Sequence, residues 1–370
     1  MIPFDNVRQS LTLALVAAVF SACAGTPAGP RAALTRFPIG IYGVNDAKHL
    51  GQLRKDGFDS FHTYSSDPVL LAALASEAKR QGMRMVIYPD KVREGEFSAT
   101  KSWPVDAWYL LDEPDVVKMS SAALQALSEK TRAWDPLRPR TFVIGQGAPA
   151  KVYGGVGDIL MMDWYPVPHM PTDSVADQID LVMSALPAGK PFWMVIQAYD
   201  WADEMSAEKT LRYGLRFPTQ AEIRFMSYLS VLHGARGLFY FTLAKKGKTL
   251  FEYPELWQAV SGVSREIREM QPIFESGERI QLPFPAPAGG LTAAAWRHQK
   301  CEYLVLVNRA RDRLWKVPAQ ALERSWRTIF AVHPDPRELL HKYRDAYYLR
   351  PYQVLVLKSC KIGHDETRRN

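Results

Sequence analysis

Apolar residues along this chain come in short runs separated by amphipathic or polar stretches, and eight such runs cover residues 38–44, 58–64, 83–89, 105–113, 141–144, 158–165, 191–197 and 237–242. Runs of this length, alternating with helix-period segments, predict β-strands in a β/α succession. Eight units within about 240 residues fit a (β/α)8 barrel, the TIM barrel. Helices are predicted over 67–82, 115–134 and 219–234, the last opened by the capping box Thr219-Gln-Ala-Glu222 and closed by Gly234. The connections after the third and fifth runs are short and loop-like, which leaves a distorted barrel open. An open doubly wound sheet is disfavoured, because no glycine-rich phosphate loop follows the first run.

Beyond a helix predicted over 254–272 the pattern changes. Residues 291–296, 303–308, 326–332 and 352–357 read as strands with no long helix between most of them. They predict a small antiparallel β-sandwich over 277–361. The expected organisation is therefore a leader (1–23), a Pro/Gly/Ala linker (24–36), a barrel (37–276), the sandwich, and a polar tail (362–370).

Composition narrows the picture modestly. A hydrophobic fraction of 47% over 370 residues supports a large core. The formal charge of +7 is small for this length, and no Lys/Arg run interleaved with aromatics tracks a phosphate backbone, so nucleic acid is not an expected partner. No CxxC or HxxxH spacing occurs, so neither a metal nor another cofactor is expected. In the leader, Arg8 precedes an apolar stretch at 11–20 that is too short to span a bilayer as a mature helix. Phe20-Ser-Ala-Cys23 follows and resembles the lipobox of bacterial lipoproteins, departing from it at Phe20. That resemblance implies a lipid-bearing Cys23 and a place on the membrane of the cell envelope; a plain signal peptide cleaved near Ala24 is the alternative. Cys301 and Cys360 then remain, either paired in an oxidising compartment or buried separately.

The run at 105–115 carries the most chemistry. An apolar strand ends there in Asp112-Glu-Pro-Asp115. Pro114 cannot donate to a sheet and must stop the strand. Acids at the inner end of such a strand lose hydration and imply an organised polar site. The bland alternative is an acidic helix start with proline in its first turn. If the eight runs close into a barrel, their ends converge on one face. That face would gather Tyr42, His62, Tyr64, Tyr88, Asp112, Glu113, Asp163, Trp164, Tyr165, Gln197, Trp201 and Tyr240. Rings, amides and acids in this mixture suit a polyhydroxylated ligand, since rings stack on C–H faces while polar groups read hydroxyls.

Leu111-Asp-Glu-Pro114, Asp163-Trp-Tyr-Pro166, Val195-Ile-Gln-Ala198 and the stretch Arg216-Phe-Pro-Thr-Gln-Ala-Glu-Ile-Arg224 before Gly237-Leu-Phe-Tyr-Phe241 resemble the clan A glycoside hydrolases and their bacterial relatives. The resemblance implies a barrel enzyme acting on a carbohydrate, with Glu113 as acid/base and Asp112 contacting a sugar hydroxyl. Clan A enzymes also carry a nucleophilic Glu at the end of the seventh strand, where this chain has Gln197. The second carboxylate must then come from elsewhere. Asp163 is preferred over Asp200, because residues 161–166 repeat the pattern of an apolar strand ending in an acid beside rings and a proline. A carbohydrate-binding protein that has lost catalysis is the main rival, and a structural envelope protein the third reading.

Overall fold

The computed structural model describes residues 36–90, 92, 100–204, 214–245, 247–285, 289–322, 326–330 and 341–360. The leader, Cys23 and nearly all of the linker lie outside them. All eight predicted strands form: β1 (Ile39–Ile41), β2 (Ser60–His62), β3 (Arg84–Ile87), β4 (Val105–Asp112), β5 (Arg140–Ile144), β6 (Ile159–Trp164), β7 (Phe192–Gln197) and β8 (Leu238–Phe241). They pair in parallel in chain order and close, with Gly40 of β1 opposite Phe239 of β8. The barrel is thus complete.

Strand alternation sorts side chains into two cores. Val86, Ala107, Tyr109, Val143, Ile159, Met161, Trp193, Val195 and Phe239 fill the interior. Their neighbours, such as Ile41, Met85, Trp108, Phe142, Met194 and Leu238, face the helices. Trp193, which its surroundings in sequence suggest as a barrel-to-helix contact, instead points inward and stacks on Phe239.

The surrounding helices are α1 (Leu50–Lys55), α2 (Pro68–Gln81), α3 (Ser121–Trp134), α4 (Ala150–Tyr153), α5 (Ser174–Ala185), α6 (Gln220–Leu232) and α7 (Pro254–Ser276). Helix α2 is capped by the Asp67 side chain and ends on Gly82 in the left-handed conformation, as its sequence predicts. Helix α6 has its capping box at Thr219 and Glu222. Two boundaries differ from expectation. Residues 114–118 form turns, with Lys118 at φ +58°, and α3 starts only at Ser121, where the Ser120 hydroxyl accepts the amide of Ala123, a cap worth ~1 kcal/mol. Pro272 lies inside α7 rather than ending it, since Ile273 and Phe274 beyond it stay buried and hold the last turn in place. The crossover after β5 holds only the single turn α4, in keeping with its loop-like sequence.

The C-terminal region forms two antiparallel sheets. The larger contains β11 (Glu278–Ile280), β12 (Leu291–His298), β13 (Cys301–Asn308), β15 (Arg327–Ile329) and β18 (Val354–Cys360), in the order β11-β12-β13-β18-β15. The smaller contains β14 (Trp315–Pro318), β16 (His341–Tyr343) and β17 (Ala346–Leu349). Four of these strands, β11, β14, β16 and β17, lie outside the runs that predict strands, three of them without an apolar run and β17 as the short run Ala346–Leu349. Leu304, Leu306, Leu355 and Leu357 pack between the two sheets, whereas Val305, Val307, Val354 and Val356 join the core shared with the barrel helices. The larger sheet is therefore apolar on both faces. Cys301 and Cys360, opposite each other in register, form a disulfide.

Candidate active site

Two bulges in β4 decide what reaches the barrel mouth. The first lies at Asp106, between Val105 paired with Met85 and Ala107 paired with Val86. Asp106 turns away from the mouth to meet Arg36 at 2.6 Å. The second falls between Tyr109, opposite Thr141, and Asp112, opposite Val143, so three steps on β4 match two on β5. Leu110 and Leu111 both pack outward and Asp112 turns inward. Glu113 follows at φ +44°, a left-handed conformation unusual for a residue with a side chain. Two adjacent acids, which a regular strand would send to opposite faces, thereby both serve the mouth.

The Glu113 carboxyl lies against Gly145, where a Cβ would stand 3.0 Å from Oε1. The neighbouring Asp115 accepts the Gly145 amide at 3.2 Å and fixes this turn. Asp163 projects inward from β6 and is partly buried, with its Oδ1 closed off from solvent. Its pKa is held well above the usual carboxylate range, first by burial and then by the Glu113 and Asp112 carboxylates. Glu113, about half buried, is also raised by burial, then by Asp112 and Asp115, while a hydrogen bond with the Asp163 carboxyl opposes the rise. The Glu113 carboxylate thus disfavours ionisation of Asp163, whose Oδ1 is shut off from solvent. No Arg or Lys among the described residues pairs with either acid.

Tyrosines surround them. Asp112 accepts the hydroxyls of Tyr109 and, at 3.5 Å, Tyr64, and burial still raises its pKa. Tyr42 donates to the Tyr109 hydroxyl at 3.4 Å. His62 sits below Tyr64, with ring centroids 4.4 Å from those of both Tyr42 and Tyr64 and 4.5 Å from that of Tyr109. Neither ring nitrogen has a hydrogen-bond partner, and burial pushes its pKa down to about 3, so the ring is neutral. Tyr88 closes this wall, 5.0 Å from Tyr109. On the other side Tyr165 stands beside Asp163 and stacks on Phe241 at 5.4 Å. The Tyr165 hydroxyl and Asp163 Oδ1 both lack a well-formed hydrogen bond, so polar capacity is left over beside the acid pair. Trp201 completes the rim, its indole donating to the Tyr165 carbonyl at 3.2 Å.

Two residues expected at the mouth are placed elsewhere. Trp164 faces the helix layer and donates to Ser174 at 2.9 Å. Tyr240 also faces outward, within 3.1 Å of the Ser227 hydroxyl. Each lies one position out of phase with the inward set, and the inward residues on those strands are Asp163 and Phe241. Gln197 points inward, but the backbone consumes its amide: Oε1 accepts from Val167 N at 2.8 Å, and Nε2 donates to Val167 O at 2.8 Å and Tyr199 O at 3.3 Å. It clamps the loop after β6. Asp200 accepts the amide of Ala202 and belongs to a turn. Arg216 pairs with Glu222 at 2.7 Å. Phe241, absent from the expected set, lines the mouth beside Tyr199, and strand parity counted from Phe239 would have found it. Among the described residues no group of His, Cys, Asp and Glu side chains is arranged to hold a metal ion.

No family model and no curated protein matches the sequence. Solved structures do match the fold. One described as a glycoside hydrolase has a TM-score of 0.59 at 14% identity over 89% of this chain and 93% of its own. Eubacterium rectale Amy13B has a TM-score of 0.55 at 10% identity over 88% and 96%. AmyP, solved with maltose, has a TM-score of 0.53 at 8% identity over 90% and 99%. The architecture is thus one that glycoside hydrolases use.

Proposed function

We propose that this chain hydrolyses glycosidic bonds in a poly- or oligosaccharide at the cell envelope, with Glu113 and Asp163 as its paired carboxyls. The observation that carries the reading is their closeness: two acids, the one raising the pKa of the other, at the carboxyl end of a closed barrel, ringed by tyrosines and unpaired with any described cation. Asp163 is the resting acid and Glu113, nearer solvent, the group a substrate meets. As a sugar enters, the proton passes to Glu113 and from there to the leaving oxygen. The Asp163 carboxylate then takes a proton from the water that attacks the anomeric carbon, and the pair returns to its starting state. Room for that water requires the two carboxyls to part from contact to roughly 6.5 Å or more.

The test uses the purified chain without residues 1–23 on envelope and plant polysaccharides, reading new reducing ends. Glu113→Gln and Asp163→Asn should each keep the fold and lower turnover by about 10²-fold or more. Unchanged turnover in either variant rejects the pair. A second reading, a carbohydrate binder without catalysis, is favoured by Gln197, which stands where the clan A pattern has its nucleophile and whose amide is tied to backbone. Saturable binding with no bond cleavage by the unmutated chain would select it.

The envelope location rests on the leader and the lipobox-like Cys23. The disulfide between Cys301 and Cys360 supports it, because such bonds persist in oxidising compartments. Cys23→Ser should move the protein out of the membrane fraction of a producing bacterial cell, and an unmoved protein would count against the anchor.

A further inference from the structure

Strand β8 ends at the mouth, where the hairpin of β9 (Ala244–Lys245) and β10 (Lys248–Thr249) follows it, and begins at the opposite end of the barrel, directly after Arg236. At that base a cavity of about 410 Å³ opens where α6 and α7 end and β11 begins, with Arg236, Phe274, Glu275, Arg279 and Trp296 among its walls. Both arginines reach solvent, and no carboxylate among the described residues pairs with either. Arg236 donates one N–H to the carbonyl of Phe274 at 3.4 Å. Arg279 lays its guanidinium over the Trp296 ring, 4.5 Å from the centre, a contact that uses the flat face and leaves the N–H edge unbonded. The two cations also repel: burial first and Arg236 second draw the Arg279 pKa below its usual value. Glu275, the acid of the cavity, is engaged otherwise, its Oε1 accepting from the Phe37 amide at 2.8 Å and from Gln271 at 3.1 Å.

Two uncompensated guanidinium groups beside an open cavity suit a phosphate, whose oxygens can accept N–H bonds from both at once. The place of the cavity selects which phosphate. Phe37, where the barrel begins, lies 5.4 Å from Phe274 between ring centres, so the chain enters the barrel beside this cavity. Twelve residues separate Cys23 from Arg36, and they span at most about 40 Å when extended. A lipid on Cys23 therefore keeps this end of the barrel near the bilayer. The same end exposes Lys55, Lys79 and Arg84, whereas its acids Asp59, Asp106 and Asp158 are held by Arg36 and Arg140. Those exposed cations add a diffuse attraction for anionic lipid.

We infer that the cavity between Arg236 and Arg279 receives the phosphate of an anionic phospholipid headgroup, so that the barrel stands base-down on the membrane with its mouth turned away. The choice of phosphate rests on the reading of Cys23 as a lipid anchor, and the test dispenses with that anchor. The purified chain lacking residues 1–23 is sedimented with vesicles of phosphatidylglycerol and phosphatidylcholine in equal parts, and with vesicles of phosphatidylcholine alone. It should partition to the first about tenfold or more strongly. Arg236→Gln with Arg279→Gln should remove most of that preference, and Arg236→Lys with Arg279→Lys should retain most of it. Lys79→Gln with Arg84→Gln, an equal loss of charge at the same end, should lower it far less. Inorganic phosphate at matched ionic strength should lower partitioning only slightly. The inference is overturned if the chain has no preference for phosphatidylglycerol, if the two glutamine pairs weaken it equally, or if inorganic phosphate abolishes it, which would assign the cavity to a soluble anion. Lipid on Cys23 is read separately from the mass of the mature protein, so an unmodified Cys23 with an intact preference refutes the anchor and leaves the headgroup site.

Discussion

At the scale of single residues, burial and two neighbouring carboxylates act together on Asp163. Its folded pKa lies well above the value of an exposed aspartate, so the native state binds a proton that the unfolded chain releases near pH 4. The sign follows: this residue's contribution to stability is fully present below the unfolded pKa and is lost as pH rises towards the folded one. Asp163→Asn removes the titration. Thermal melts from pH 4 upward should show the variant gaining on the unmutated protein, by about 2 °C or more at neutral pH. A difference that stays constant with pH would mean that the acid is not protonated in the folded state. Glu113 shows how far one residue depends on its backbone. Its left-handed conformation and the Gly145 surface below it turn the carboxyl towards Asp163, and neither feature has a local sequence signature beyond Pro114 and the glycine itself.

At the scale of strands and helices, the interior is packed without slack where β1 meets β8. The Phe239 ring fills the space over Gly40, and a Cβ there would stand 2.2 Å from ring atoms. Gly40→Ala should destabilise the protein by about 1–3 kcal/mol in urea titrations, and a neutral result would show that the ring can move aside. The eight strands were legible because their apolar runs are bounded by polar ones, and α2 and α6 because their caps are written in Asp67, Gly82 and Thr219. Which face each residue takes was less legible. Trp164 and Tyr240 are aromatic and near a strand end, which suggests the mouth, but parity sends them outward. The second bulge in β4, which makes Asp112 and Glu113 neighbours in function, arises from pairing with β5 and leaves no trace in the run 105–113 itself. Gln197 faces inward by its parity in β7, yet the loop backbone that occupies its amide comes from a different part of the chain.

At the scale of the whole molecule, one buried ion pair ties three parts together. Arg224 of α6 meets Glu266 of α7 at 2.8 Å, and its guanidinium also donates to the carbonyl of Val354 in β18 at 2.7 Å. Glu266→Gln would take a carboxylate away from the buried arginine and should cost up to about 3–5 kcal/mol, measured as a lower urea midpoint. A loss below about 1 kcal/mol would mean that water solvates the pair. The larger C-terminal sheet, apolar on both sides, carries the wider lesson. A chain trimmed after Ser276 would keep every strand of the barrel yet bare the flanks of α6 and α7 that Val305, Val307, Val354 and Val356 now cover. Such a truncation should clump rather than circulate as a smaller catalyst, and anyone seeking a minimal version must first recolour those flanks with charge.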